Sequence, residues 1–129
     1  MKRATSRKAA RRQALYLLYQ WDLTGQELAS LYEGEPDEFA RALADAVSLR
    51  AEALDVRITA ASPDWPADRL GTLERNILRI GVYELEEETV PREVAINEAV
   101  VLAKRYATED AARLVNGVLG RIARDEEAA

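Results

Sequence analysis

The sequence predicts an all-α fold of about seven helices. Apolar residues recur at spacings of three and four along most of the chain, no segment shows sustained alternation of period two, and Gly and Pro interrupt the pattern only sparsely. With 129 residues, of which 48% are hydrophobic, the chain is long enough to bury a core but short for two domains. We therefore expect one helical domain.

The first three predicted helices precede Pro63. Residues 5–23 form the first, which ends before Gly25, and residues 26–33 form a short second one. The third covers residues 37–61, where no breaker interrupts the helical spacing. Its apolar positions are Phe39, Leu43, Val47, Leu54 and Ile58. The length of this segment predicts one long or bent helix.

A short helix near Pro66 and a central helix over residues 72–86 follow. Pro suits the first turn of a helix because no intrahelical hydrogen bond needs its missing N–H there. The central helix has apolar residues on two sides, which predicts that it is almost completely buried. Glu74 lies between these two sides. Either it pairs with an Arg or lies at an exposed edge, or it faces a partner.

The last two predicted helices cover residues 92–106, directly after Pro91, and 109–124. Thr108 is the predicted N-cap of the last helix because its hydroxyl can accept a hydrogen bond from a free backbone N–H. Gly117 lies in the middle of that helix, where Gly costs about 1 kcal/mol relative to Ala. Its presence predicts that another element packs closely against the backbone at this point.

The composition excludes most catalytic sites. The chain has no Cys and no His, so it lacks thiolate nucleophiles, disulfides, Cys-ligated zinc and the commonest general base. We expect a binding protein with no catalytic residue, metal or cofactor. No apolar run approaches the roughly 18 residues of a membrane helix, and no apolar stretch follows the basic start as in a signal peptide. We therefore expect a cytoplasmic protein without membrane contact.

The charge is unevenly distributed. Residues 1–20 carry six basic and no acidic side chains, whereas the rest carry 12 basic and 23 acidic ones, so segments of +6 and −11 give the net charge of −5. Four charges stand one helical turn apart in two pairs, Arg7 with Arg11 and Lys8 with Arg12, along one broad side of the first helix. Such a patch on an acidic body is typical of phosphate-backbone binding, although a solvated face or a small-anion site has the same pattern.

The first helix also carries two apolar clusters, separated by more than about 90° on a helical wheel. The cluster expected to face the core consists of Ala14, Leu18 and Trp21. The second cluster consists of Tyr16, Tyr19 and Leu23. It indicates either a helix packed between two neighbours or an exposed face that binds a partner, for which Tyr is well suited.

Several blocks of sequence follow the basic start in a characteristic order. They are residues 14–16 (ALY), 18–22 (LYQWD), 73–85 (LERNILRIGVYEL), 90–91 (VP), 94–100 (VAINEAV), 102–104 (LAK) and 115–119 (VNGVL). Together they resemble the NusB family of bacterial transcription antitermination factors. The resemblance spans most of the chain and is weak only over about residues 24–62.

The resemblance implies a fold of two packed three-helix-bundle-like halves, about residues 1–62 and 63–129. It implies that the protein pairs with NusE, a ribosomal small-subunit protein, and recognises single-stranded boxA RNA. That complex would join the RNA polymerase elongation complex and support transcription of ribosomal RNA. The alternatives are a helical protein-binding module without specific RNA binding and a domain of an RNA cytosine methyltransferase. The absence of Cys and of an αβ pattern disfavours the last. In the free state the protein is either a monomer or a homodimer that hides the Tyr and Leu side chains of the second cluster.

The resemblance and the helical wheel together assign two sets of site residues. The predicted RNA-binding residues are Arg7, Lys8, Arg11, Arg12, Asp110 and Leu114. The predicted partner-binding residues are Tyr16, Tyr19, Leu23 and Glu74. The chain departs from the family at Leu114, where Phe is common, because Leu cannot stack on a base as an aromatic ring does.

Overall fold

The computed structural model describes residues 6–128, and this range contains seven α-helices and no strand. In chain order they are α1 (Arg7–Thr24), α2 (Leu28–Leu31), α3 (Glu38–Leu49), α4 (Ala51–Ala61), α5 (Thr72–Glu87), α6 (Arg92–Tyr106) and α7 (Glu109–Ala128). A 3-10 helix over Ala67–Arg69 lies between α4 and α5. The predicted all-α fold class is confirmed.

Helix α1, which carries most of the predicted site, has a defined signal at each end. The Ser6 hydroxyl accepts a hydrogen bond from the backbone N–H of Ala9 at 3.1 Å, which caps the first turn. At the other end Gly25 adopts a left-handed conformation with φ of 75°, and its N–H donates to the carbonyl of Trp21. The helix is thus fixed in length by its own sequence.

Residues 37–61, predicted as one long or bent helix, form two helices that meet at Arg50. Arg50 leaves helical geometry, with φ of −103° and ψ of 10°, and it separates α3 from α4. The break lets α3 pack against α1 while α4 packs against α5 and α7. Tertiary packing therefore decides the break, since neither Gly nor Pro marks it. The short helix expected near Pro66 is reduced to the single 3-10 turn.

The predicted cap of the last helix is confirmed, because the Thr108 hydroxyl accepts a hydrogen bond from the N–H of Ala111 at 3.0 Å. Helix α7 nevertheless continues beyond the predicted end at residue 124. Arg57 of α4 donates to Glu126 at 2.7 Å, and Arg92 of α6 lies 3.6 Å from the same carboxylate. These contacts from two other helices hold the last turn of α7 in place.

Helix α5 is the centre of the domain, and it contacts α1, α3, α4, α6 and α7. Five of its apolar residues, drawn from both sides, are at most 1% exposed, namely Ile77, Leu78, Ile80, Val82 and Leu85, while Leu73 in the first turn is half-buried. The predicted burial of this helix is confirmed. Because α5 joins elements from both parts of the chain, it would be shared between the two predicted halves; their division near residue 62 stays a prediction.

The close approach predicted at Gly117 occurs instead at Gly81 of α5. A Cβ added to Gly81 would lie 2.6 Å from Cδ1 of Leu119, whereas a Cβ at Gly117 would meet nothing within 4 Å. Gly117 is exposed, and the explanation for it given by the sequence pattern is wrong. Gly81 allows α7 to lie directly against the central helix.

The two glycines make a matched test of this packing. Gly81→Ala should lower the free energy of unfolding by about 1–3 kcal/mol, because the fully buried Leu119 has no space to withdraw. Gly117→Ala should raise it by about 1 kcal/mol through helix propensity alone. Urea denaturation of both variants measures the difference. Shifts of the same sign would contradict the assigned contact.

Candidate nucleic-acid interface

The four cations predicted to line one side of α1 are divided among three environments. Lys8 is exposed and Arg12 is half-buried on the outer side of the helix, and Lys8 lies 3.7 Å from Glu98 of α6. Within residues 6–128, Arg12 has no ion pair or hydrogen-bond partner for its side chain. These two side chains therefore present positive charge to solvent.

Arg7 points to a different side, toward α3. Its guanidinium carbon lies 5.4 Å from the ring centroid of Phe39, and its Nη1 donates to the carbonyl of Thr89 at 3.4 Å. The side chain is exposed despite these contacts. A guanidinium that stacks on a ring keeps its outer edge free for an anion. Arg7 therefore remains available to a phosphate.

Arg11, one of the predicted RNA-binding residues, is instead buried in an ion pair. It is 5% exposed, and its Nε and Nη2 each donate to a carboxylate oxygen of Glu84 at 2.8 Å. Glu98 adds a second carboxylate at 3.9 Å. The hydrogen bond to Glu84 raises the pKa of Arg11, so the buried guanidinium keeps its positive charge. Its guanidinium joins α1 to α5 and, unlike those of Arg7 and Arg12, does not reach solvent.

The second apolar cluster of α1 is uncovered. Tyr16 is 62% exposed and Leu23 is 60% exposed, while Tyr19 between them is half-buried. Ala14 and Leu18, on the predicted core face, are fully buried. Helix α1 packs against α3 and α5, but neither covers Tyr16 and Leu23, so the interpretation in which a neighbouring helix buries this second cluster is wrong. We refer to Tyr16, Tyr19 and Leu23 as the outer apolar face.

Glu74 is half-buried in the first turn of α5. Within the described range no basic side chain pairs with it, and its carboxylate folds back over Gly71, the N-cap of the helix. A negative charge at this end is stabilised by the helix dipole. Of the readings that the sequence left open, the structure therefore favours the partly exposed edge over the ion pair.

The two predicted RNA-binding residues of α7 differ in exposure. Asp110 is exposed in the first turn and pairs with Arg113, whereas Leu114 is half-buried and packs against the core. Helix α7 packs along α6, and α6 in turn reaches α1 through Glu98. Helix α6 therefore separates the candidate RNA-binding residues of α1 from those of α7.

Sequence reasoning missed a polar network at the other end of α1. Asp22 accepts hydrogen bonds at 3.0 Å from Arg75, Asn76 and Arg79 of α5. Arg79 also donates two hydrogen bonds to Asp55 of α4, at 2.7 and 2.6 Å. Burial by itself would lower the pKa of Arg79, but Asp55 and Asp22 more than offset it, and the pKa is raised. The sequence did contain a signal for this network, because Arg75, Asn76 and Arg79 lie on a helix that was expected to be buried.

Residues 6–128 contain no group of three or more acidic, His or Cys side chains that could hold a metal ion. None of their helices is long and apolar enough to cross a membrane.

Sequence comparison identifies close relatives. The family model described as the NusB family matches residues 8–124. A transcription antitermination protein NusB from Rubrobacter xylanophilus is 41% identical over 121 residues, which cover 88% of this chain and 87% of that protein. The protein of the same name from Myxococcus xanthus is 36% identical over 132 residues, covering 92% of this chain and 94% of that protein.

The fold is also similar to those of solved NusB structures. The T. maritima NusB structure superimposes with a TM-score of 0.83 and 32% identity, covering 95% of this chain and 94% of that chain. A chain in the crystal structure of the antitermination factors NusB and NusE in complex with double-stranded RNA gives a TM-score of 0.81 and 35% identity. That match covers 92% of this chain and 96% of the other.

The buried and the outward arginine of α1 should differ in their effect on stability. Arg11→Ala removes the counter-charge of a buried Glu84 and should lower the free energy of unfolding by about 3 kcal/mol. Arg12→Ala, one residue later, should change it by less than about 0.5 kcal/mol. Urea denaturation measures both, and Glu84→Gln added to Arg11→Ala should recover part of the loss. Equal effects of the two single variants would contradict the assignment.

Proposed function

The chain belongs to the NusB family, and from that premise we propose that it is a transcription antitermination factor that binds RNA together with a NusE-type protein. The observation that carries the proposal is the match to a chain in the crystal structure of NusB and NusE in complex with double-stranded RNA. The protein acts by binding within the RNA polymerase elongation complex in the cytoplasm, not by catalysis, and it needs no cofactor.

The RNA-binding surface is formed by Arg7, Lys8 and Arg12 at the start of α1. Each presents a cationic group to solvent, and each phosphate that it neutralises releases counterions from the RNA. The rest of the chain carries an excess of acidic residues, which disfavours RNA contact elsewhere. Asp110 and Leu114 at the start of α7 form a second RNA contact, which α6 separates from this surface. The preferred ligand is a boxA-like single strand.

The outer apolar face binds the protein partner, and Glu74 lies at its edge. Exposed Tyr and Leu side chains on one rigid helix offer apolar area at a small cost in side-chain entropy, which is typical of interface residues. Tyr16 follows Arg12 by one helical turn. The RNA and the partner protein are therefore neighbours on α1.

Removing cations from the start of α1 should weaken RNA binding in a salt-dependent manner. For Arg7→Ala with Lys8→Ala, the slope of log Kd against log salt concentration should fall by about 1.4, because each of the two lost phosphate contacts contributes about 0.7 on a single strand. Fluorescence anisotropy with a labelled boxA-like RNA over a salt series measures the slope. Arg69→Ala, an exposed cation of the 3-10 helix, is the control and should leave the slope unchanged.

Two outcomes would count against the RNA-binding proposal. One is an affinity of the unaltered protein that does not change with salt. The other is an equal loss of affinity in the Arg69→Ala control and in the double variant. Either result would favour the alternative of a helical protein-binding module without specific RNA binding.

A charge placed on the outer apolar face should separate partner binding from RNA binding. Leu23→Asp should reduce affinity for NusE by at least about tenfold, because the new carboxylate loses its water in the interface. RNA affinity of the chain alone should change little. Isothermal titration calorimetry measures the first and anisotropy the second.

The control for this variant is Leu49→Asp, which changes an 87% exposed Leu at the end of α3. It should leave NusE binding unchanged. If Leu23→Asp binds NusE normally, the outer apolar face is not the partner surface. Light scattering of the chain alone, with and without Leu23→Asp, tests whether the same face forms a homodimer.

A further inference from the structure

A cleft of about 210 Å³ opens between α1, α3 and the end of α5. Its walls are Arg7, Ala10, Phe39, Leu43, Tyr83 and Thr89, and the Arg11–Glu84 ion pair lies at its base. Pockets for drug-sized ligands measure roughly 300–1,000 Å³, so this cleft suits one planar ring. It lies on the side of α1 opposite the outer apolar face, and neither proposed surface includes its aromatic residues.

Each aromatic side chain of the cleft is paired with an arginine. Arg7 lies over the ring of Phe39 at 5.4 Å, and Arg50 lies over the ring of Tyr83 at 5.8 Å. Phe39 is 56% exposed, so much of its ring is open to a ligand. Aromatic rings and guanidinium planes are the side-chain groups on which unpaired RNA bases stack.

The charge of the cleft also favours a nucleotide. Glu84 is the one acidic residue among its walls and base, and Arg11 already neutralises it through two hydrogen bonds. This leaves the positive charge of Arg7, one of the proposed RNA-binding cations, at the rim. A base inside the cleft would place its own phosphate near Arg7.

We propose that this cleft binds a single unpaired base of the RNA, which stacks on Phe39 while Arg7 contacts the adjoining phosphate. The proposal rests on the proposed RNA-binding function and adds a base-binding site to a surface otherwise made of phosphate contacts. It also supplies an aromatic stacking residue in a chain whose Leu114 cannot provide one. An apolar side chain of a protein partner would gain nothing from the Arg7 charge, so the base is the better fit.

The test compares two aromatic residues of nearly equal exposure. Phe39→Leu keeps an apolar side chain and removes the ring, and it should weaken binding of a boxA-like single strand about tenfold. The salt dependence should not change, because no phosphate contact is lost. Trp65→Leu changes a ring that is 57% exposed and outside the cleft, and it should bind RNA as the unaltered protein does. Urea denaturation shows whether both variants remain folded.

A second measurement uses the unaltered protein. The RNA carries 2-aminopurine at one position at a time, and one position should lose fluorescence on binding because the base stacks on a ring. Phe39→Leu should restore that signal. Normal RNA affinity of Phe39→Leu with no position-specific quenching would overturn the base site alone. Weaker NusE binding with normal RNA binding would assign the cleft to a protein side chain, and failure of the unaltered protein to bind RNA would overturn both proposals.

Discussion

The neutralisation of buried charges on α5 is the constraint on which the other helices depend. This helix is enclosed by five others, yet it carries Arg79 and Glu84 in the interior. Unpaired, either charge would cost several kcal/mol, so each must meet an opposite charge from a neighbouring helix. Asp22 and Asp55 form ion pairs with Arg79, and Arg11 forms one with Glu84. No buried polar side-chain atom among residues 6–128 lacks a hydrogen-bond partner.

The two ion-pair sites on α1 determine which sides of that helix face solvent. Arg11 binds α5 about three turns before Asp22 does, so α1 is held at two points and can neither rotate nor slide without breaking a buried pair. The outward direction of Lys8, Arg12 and the outer apolar face follows from this. The position of Arg7 over the cleft follows as well. A buried, purely structural arrangement thus sets which side chains can reach RNA or protein.

Local sequence signals predicted the features that depend on neighbours in the chain. The cap at Thr108, the burial of α5 and the separation of the two apolar clusters of α1 follow from helical spacing and capping chemistry. The errors concern tertiary contacts. The break at Arg50, the burial of Arg11 and the close approach at Gly81 depend on residues 30 or more positions away, and spacing along one helix carries no information about them. The cleft was missed because its walls come from three helices.

The single rigid helix that carries both proposed surfaces has a thermodynamic consequence. RNA held by Arg12 and a protein held by Tyr16 would be separated by one turn, close enough to touch each other. A favourable contact between them would make each ligand bind more tightly in the presence of the other, by the same factor in both directions. Such mutual enhancement needs no conformational change in the chain, because α1 is already immobilised against α5. The helix would act as a fixed support that holds the two ligands side by side.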